Sequence, residues 1–183
     1  MKLPKQAKKV FSGIIFDTYH WEQELYDGTT TTFEMLKRAN TLQIIATQGD
    51  KILIAKESQP MKENFYTLFG GRQEEHEQTL ECAKRELLEE SGMMSNDWQL
   101  FKSYEPYTKM EWSVHLYIAR DCKKISEQHL DAGEKIDILK VNFDEFIDIV
   151  CSEQFWGKEI ALDIFRMKEK NTLNEFKRTV FGK

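Results

Sequence analysis

Residues 71–93 read GRQEEHEQTLECAKRELLEESGM, and this stretch decides the fold. From Thr79 to Ser91, Leu80, Ala83 and Leu87 recur at helical spacing and give a helix one buried stripe. Gly92 stands where a left-handed residue closes a helix. On that helix Glu86, Glu89 and Glu90 are three and four residues apart, so their carboxylates share a face distinct from the apolar stripe. Crowded like charges repel unless a cation neutralises them or water solvates them fully. Hard oxygen ligands of this kind suit Mg²⁺, with Mn²⁺ as a substitute. Arg85 lies four residues from both Glu81 and Glu89 and can pair with either. Gly70-Gly71 lets the backbone turn sharply and come close to the cluster, which would bring a carbonyl oxygen to the metal.

On the N-terminal side the chain reads as strands joined by tight turns. The apolar segment Val10–Phe16 leads into Tyr19–Tyr26, Asp27-Gly28 is a hairpin signal, and the threonine run Thr29–Thr32 resumes extended chain. Leu42–Ala46 and Ile52–Ala55 are short apolar runs on either side of Gly49-Asp50, a second hairpin. Residues 60–72 are turn-rich. On the C-terminal side Trp98–Tyr104 and Trp112–Ala119 read as strands, Lys123–Lys135 as a polar loop, and Ile136–Val141 as a final strand. Phe143–Cys151 and Lys158–Glu169 read as helices, the second trailing into a polar tail. No internal repeat or linker stands out. The expectation is one α/β domain over 41–183, with residues 1–40 as a tail and strands appended to it.

The bulk composition restricts the function classes. The chain has 183 residues, 40% hydrophobic and 31% charged, with a formal net charge of −5. That balance argues against nucleic-acid binding through a basic surface, and no helix-turn-helix is evident. An acidic protein that handles phosphates needs a cation or local arginine and lysine, which again points to metal. No apolar run approaches the roughly 20 residues needed to cross a bilayer, and MKLPKQAKKV reads as a short solvated tail without a signal-peptide core. Cys82, Cys122 and Cys151 lack metal-ligand spacing and read as reduced thiols of a cytoplasmic protein. His20, His76, His115 and His129 show no ligand spacing either.

The Glu/Arg pattern alone also fits a solvated amphipathic helix. The full segment does more: it resembles the Nudix box, G-x5-E-x7-R-E-U-x-E-E-x-G-U with U apolar. Every specified position matches, at Gly71, Glu77, Arg85, Glu86, Leu87, Glu89, Glu90, Gly92 and Met93. The resemblance implies an α/β/α sandwich with a mixed β-sheet, and metal-dependent hydrolysis of a nucleoside diphosphate linked to another moiety. It also implies Glu86 and Glu90 as principal metal ligands, Glu89 as a further ligand or water bridge, and the Gly70 carbonyl as another ligand. Arg85 and Glu77 would hold the box together.

Outside the box, Phe33-Glu34-Met35-Leu36-Lys37-Arg38 is similar to the aromatic-Glu-x-x-x-Arg lead-in of the ADP-ribose and ADP-sugar pyrophosphatase branch. There, N-terminal strands reach across a homodimer, and an aromatic at or near the Phe33 position stacks on adenine. Gly133-Glu134-Lys135-Ile136-Asp137-Ile138 resembles the loop that carries the branch's catalytic glutamate, which implies Glu134 as the base. Two departures bear on substrate: Glu57-Ser58-Gln59-Pro60 replaces a Gln-x-Arg, and Leu68-Phe69-Gly70-Gly71 replaces Leu-Pro-Ala-Gly. Trp21 and Trp112 could stack on a base or serve packing. The branch implies hydrolysis of an ADP-sugar such as ADP-ribose to AMP and a sugar phosphate. Two alternatives stay open: a house-cleaning hydrolase of nucleoside triphosphates, and a Nudix-like ligand sensor without turnover.

Overall fold

The structure, a computed structural model, describes residues 2–183. Three N-terminal strands, β1 (Lys8–Ser12), β2 (Asp17–Glu24) and β3 (Thr30–Lys37), form an antiparallel meander. They are followed by β4 (Thr41–Gln48), β5 (Lys51–Gln59), β6 (Lys62–Thr67) and helix α1 (Thr79–Ser91). Next come β7 (Met93–Met94), β8 (Asp97–Tyr104), β9 (Met110–Glu111), β10 (Val114–Arg120), β11 (Lys123–Lys124) and β12 (Lys135–Val141). Helices α2 (Phe143–Val150), α3 (Lys158–Glu169) and α4 (Leu173–Phe181) complete the chain.

The central sheet has the order β12-β5-β4-β10-β8, with β6 paired to β5. It is mixed: β10 runs parallel to β4, while the other pairs are antiparallel. Its middle strands are continuous apolar runs because both faces are covered, and the two-residue period divides each run between two cores. Leu42, Ile44, Ala46, Leu53, Ala55, Tyr117 and Ala119 face α1 and meet Cys82, Ala83 and Leu87 there. Ile45, Ile52, Ile54, Leu116 and Ile118 face the other way, under α2, α3 and α4. The result is the α/β/α sandwich expected. No helix among the described residues is long and apolar enough to cross a membrane.

Around the site the backbone follows local chemistry. Gly92 closes α1 at φ 68° and donates its N–H to Leu88. Its carbonyl then accepts from the amides of Ile125 and Ser126, and the Glu89 carbonyl accepts from His129 N–H. The polar segment after β11 is therefore a cap that satisfies carbonyls at the helix end. The Gln128 side chain extends the cap, donating to the carbonyls of Glu90 (2.6 Å) and Ile136 (3.1 Å). This lashing brings the start of β12 beside the last turn of α1.

Several elements differ from their sequence reading. The apolar segment Val10–Phe16 is not one strand: β1 ends at Ser12, and Gly13 donates to the Phe16 carbonyl in a turn. Residues 62–67 of the turn-rich stretch form β6. The polar C-terminal tail contains α4, whose Phe176 and Val180, one helical turn apart, are buried in the core under the sheet. Arg120 secures that helix by donating to the carbonyls of Val180 (3.1 Å) and Thr179 (2.5 Å). The N-terminal strands form a separate sheet, β1-β2-β3-β9, whose last strand is the distant Met110–Glu111.

Candidate active site

Helix α1 is built against its own stability at one end. The C-terminal end of a helix favours cations, worth roughly 0.3–1 kcal/mol each. The last turn of α1 has no basic residue and carries Glu89 and Glu90 instead. A local rule broken in this way marks a functional position.

Arg85 is the counterweight. Its guanidinium donates to both carboxylate oxygens of Glu77 (3.0 and 3.2 Å), to Glu89 (2.9 Å) and to the Arg72 carbonyl (3.2 Å), and it pairs with Glu86 at 2.9 Å. Glu81, the other sequence candidate for Arg85, pairs with Lys84. The hydrogen bond from Arg85 holds the Glu77 carboxyl below its usual range. Glu77 and Arg85 thus brace the loop against the helix, and Arg85 orients Glu86 and Glu89.

Glu90 points the other way. Its carboxylate is buried and accepts the backbone N–H of Gly70 at 2.7 Å. Burial pushes its pKa well above the carboxylate range, the Gly70 hydrogen bond opposes the shift, and Glu86, Glu57 and Glu134 add to it. Glu86 is likewise raised by burial, against the pull of Arg85. Glu134 is half-buried and also raised, by burial first and then by Asp131. The sequence reading of the site omitted Glu57. It is buried on β5, held by the Gln59 amide at 2.5 Å, and raised by burial and by Glu134. Its signal was available: Glu57 continues the parity of Leu53 and Ala55, the face turned to α1.

The fold thus gathers Glu57, Glu86, Glu90 and Glu134 into one mutually repelling, largely desolvated group. Such a donor set fits a hard divalent cation. Among the described residues no three carboxylate, imidazole or thiol groups already converge as a cage. Arg85 draws Glu86 and Glu89 toward itself while Gly70 holds Glu90, so a cation would compete with Arg85 for these carboxylates. Gly70 itself lies between residues whose carbonyls are engaged: β4 amides take those of Phe69 and Gly71.

Gly71 packs directly on the cluster. A Cβ there would stand 2.5 Å from the Glu86 carboxylate atoms, which are the movable end of a side chain. Gly71→Ala is therefore expected to fold with little loss of stability while displacing Glu86. The expected result is a divalent-metal requirement raised by about 10-fold, the scale of disturbing a group that orients a metal-binding carboxylate. An unchanged metal requirement would show that Glu86 does not need this position.

A cleft of about 630 Å³ adjoins the cluster at Gly70. At one end Arg38 lies over Trp112 (4.9 Å to the ring centroid) and Phe16 (5.6 Å), and Tyr107 stacks on Trp112 at 6.0 Å. The Arg38 Nε and the Gln43 Oε1 are buried without a hydrogen-bond partner. Leaving such a group unmet costs about 1–3 kcal/mol, and both residues line the cleft. Arg38 is also close enough to Arg72 to feel its charge.

Phe33 is not brought to this cleft. It lies on β3 against Trp21 (5.7 Å) and under Lys109 (4.4 Å), in a separate shallow depression. Trp21 is buried and packs, whereas Trp112 is engaged by Arg38 and Tyr107.

Fold and box together define a Nudix pyrophosphohydrolase. The NUDIX domain family model matches residues 36–157, and the chain belongs to that family. An ADP-ribose pyrophosphatase of Bacillus subtilis (strain 168) is 26% identical over 172 residues, covering 91% of this chain and 92% of its own. A methanol dehydrogenase activator of Bacillus methanolicus is 25% identical over 171 residues, covering 90% and 92%. In structure, a solved ADP compounds hydrolase superposes with a TM-score of 0.72 at 18% identity, over 92% of this chain and 95% of the other. That last likeness speaks to the fold.

Proposed function

We propose that the chain hydrolyses the pyrophosphate of an ADP-sugar such as ADP-ribose, with Mg²⁺, to AMP and a sugar phosphate. The observation that carries this reading is the cleft. It joins a cationic, aromatic end with unmet polar atoms, suited to a phosphorylated aromatic ligand, to a buried carboxylate cluster suited to a divalent cation. The similarity to the Bacillus subtilis ADP-ribose pyrophosphatase along nearly the whole chain supports the substrate class.

Glu86, Glu90 and Glu89, with the Gly70 carbonyl, would hold the cation. A cation bound there would offset charge on the phosphates and lower the pKa of a water. The chain's own groups do the rest. Arg38 and Arg72 attract the diphosphate and fix its position. Arg85 keeps Glu86 and Glu89 oriented. Glu134 accepts a proton from the attacking water as its oxygen bonds to phosphorus and the P–O–P bridge breaks. AMP and a sugar phosphate leave.

A panel of ADP-ribose, other ADP-sugars and nucleoside triphosphates, assayed with Mg²⁺ or Mn²⁺ and with chelator, tests the reading. AMP from ADP-sugars, absent in chelator, is the expected result. Preferential release of pyrophosphate from triphosphates would replace it with the house-cleaning reaction. Binding of ADP-ribose without turnover would make the chain a sensor.

The working form is a homodimer in this proposal. Val10, Phe11, Ile14 and Ile15 are exposed on and just after β1, an edge strand that proteins pair or cover. Across such an interface Phe33 would serve the partner's site. Light scattering should give twice the 21.7 kDa chain mass at micromolar concentration. Phe11→Glu combined with Ile14→Glu should halve it, and a wild-type monomer active on ADP-sugars would remove the cross-subunit role. The three thiols are free, with Cys82 and Cys122 buried, in keeping with reduced cysteines in the proposed cytoplasmic setting.

A further inference from the structure

We propose that Lys62, parked on the face of Trp156, is a substrate cation that swings onto the phosphates when the cleft fills. This rests on the reading of the cleft as a diphosphate site. The Lys62 ammonium lies 3.5 Å from the Trp156 ring centroid and 4.8 Å from that of Phe65. Among the described residues it has no carboxylate within 4.0 Å, although Glu153 and Glu159 line the same cleft. Trp156 is 54% exposed, so the contact is an exposed and weak cation–π pair. A charge-assisted hydrogen bond to a phosphate is stronger. An entering anion therefore wins the ammonium from the ring.

The mounting supports a moving side chain on fixed backbone. Lys62 is paired across the β5–β6 hairpin with Gln59, whose amide holds Glu57 of the carboxylate cluster. Trp156 N–H donates to the Tyr66 carbonyl at 2.7 Å, and Tyr66 N–H to the Gln154 carbonyl at 2.9 Å. Ring and hairpin thus share β6 and keep their spacing, while the four-carbon lysine stem is free to rotate. Need adds to opportunity. Arg85 is committed to three glutamates, and Arg38 meets the diphosphate from the other end of the cleft, where it packs on aromatic rings. Lys62 is a cation of the cleft held only by a weak contact.

The alternative is that the contact only staples the segment before α3 to the hairpin. Lys62→Met keeps the stem and its packing, and Lys62→Arg keeps the charge. In metal-free buffer, tryptophan emission titrated with inorganic pyrophosphate should change in the wild type, because the ammonium leaves the indole. The pyrophosphate affinity should fall on the order of 10-fold in Lys62→Met and return in Lys62→Arg, the scale of one charged contact. Trp156→Phe should lose the signal, and adenosine should produce the same response in wild type and Lys62→Met. With ADP-ribose and Mg²⁺, Lys62→Met should raise KM far more than it lowers kcat. Unchanged pyrophosphate affinity with a lowered melting temperature would overturn the proposal in favour of the staple. If the wild type hydrolyses no ADP-sugar yet pyrophosphate binding still depends on Lys62, the functional reading fails and Lys62 stands as an anion site.

Discussion

Glu90→Gln is expected to lower kcat by at least about 10²-fold, the scale of removing an electrostatic group that acts on the transition state. The substitution keeps the volume and the acceptor for the Gly70 N–H, 2.7 Å away, and removes only the charge. A charge buried beside Glu57, Glu86 and Glu134 is costly without a cation, and this is why the Glu90 pKa is raised. That cost gives a second readout. A carboxyl whose folded pKa exceeds its unfolded value binds more protons in the folded protein. Its contribution to stability is complete below the unfolded pKa and is lost as pH rises through the folded one. In chelator, the wild type should therefore lose stability from mildly acid toward neutral pH, and Glu90→Gln should lose less. At neutral pH the metal-free variant should melt at or above the wild-type temperature, and Mg²⁺ should stabilise it less. Full turnover by the variant, or wild-type turnover in chelator, would sink the assignment.

Legibility in the sequence followed the range of the interactions. Helix α1 was readable to its ends because its buried stripe, its glutamate face and Gly92 are all local. The apolar runs of β4 and β5 showed the sheet for the same reason. The strand β6 was hidden because Lys62, Glu63 and Asn64 dilute a short run that is anchored by pairing to β5. In α4, two buried residues among charges, Phe176 and Val180, left too thin a stripe to see. At the site, the box residues were legible as a set, while their partners were not. Arg38 on Trp112, the Gln128 tie to Glu90 and Lys62 on Trp156 join distant parts of the chain, and only the fold brings them together. Phe33 shows the converse: a match in local pattern did not reveal that the fold places it outside the cleft of its own chain.

Glu134→Gln should reduce kcat by about 10²–10⁴-fold, as expected for loss of a general base, with little change in Mg²⁺ affinity. The cap on α1 sets where the residue lies. The Glu134 amide donates to the Asp131 carbonyl at 3.1 Å, and Gln128 ties the segment to Glu90 and to the Ile136 carbonyl. Glu134 is near enough to raise the pKa of both Glu90 and Glu57. Its own pKa is raised by burial and by Asp131, which makes it a stronger base than a free carboxylate. Since the base must be deprotonated, the rate should climb with pH through that pKa, and this acid limb should disappear in Glu134→Gln. Asp131→Asn separates the two carboxylates. It removes a charge that raises Glu134, so the acid limb should move to lower pH while the plateau rate stays near wild type. If Asp131→Asn instead abolishes the plateau and Glu134→Gln does not, the base is Asp131. If neither matters, a box carboxylate becomes the base, and Glu89 is the most exposed of those that Arg85 holds.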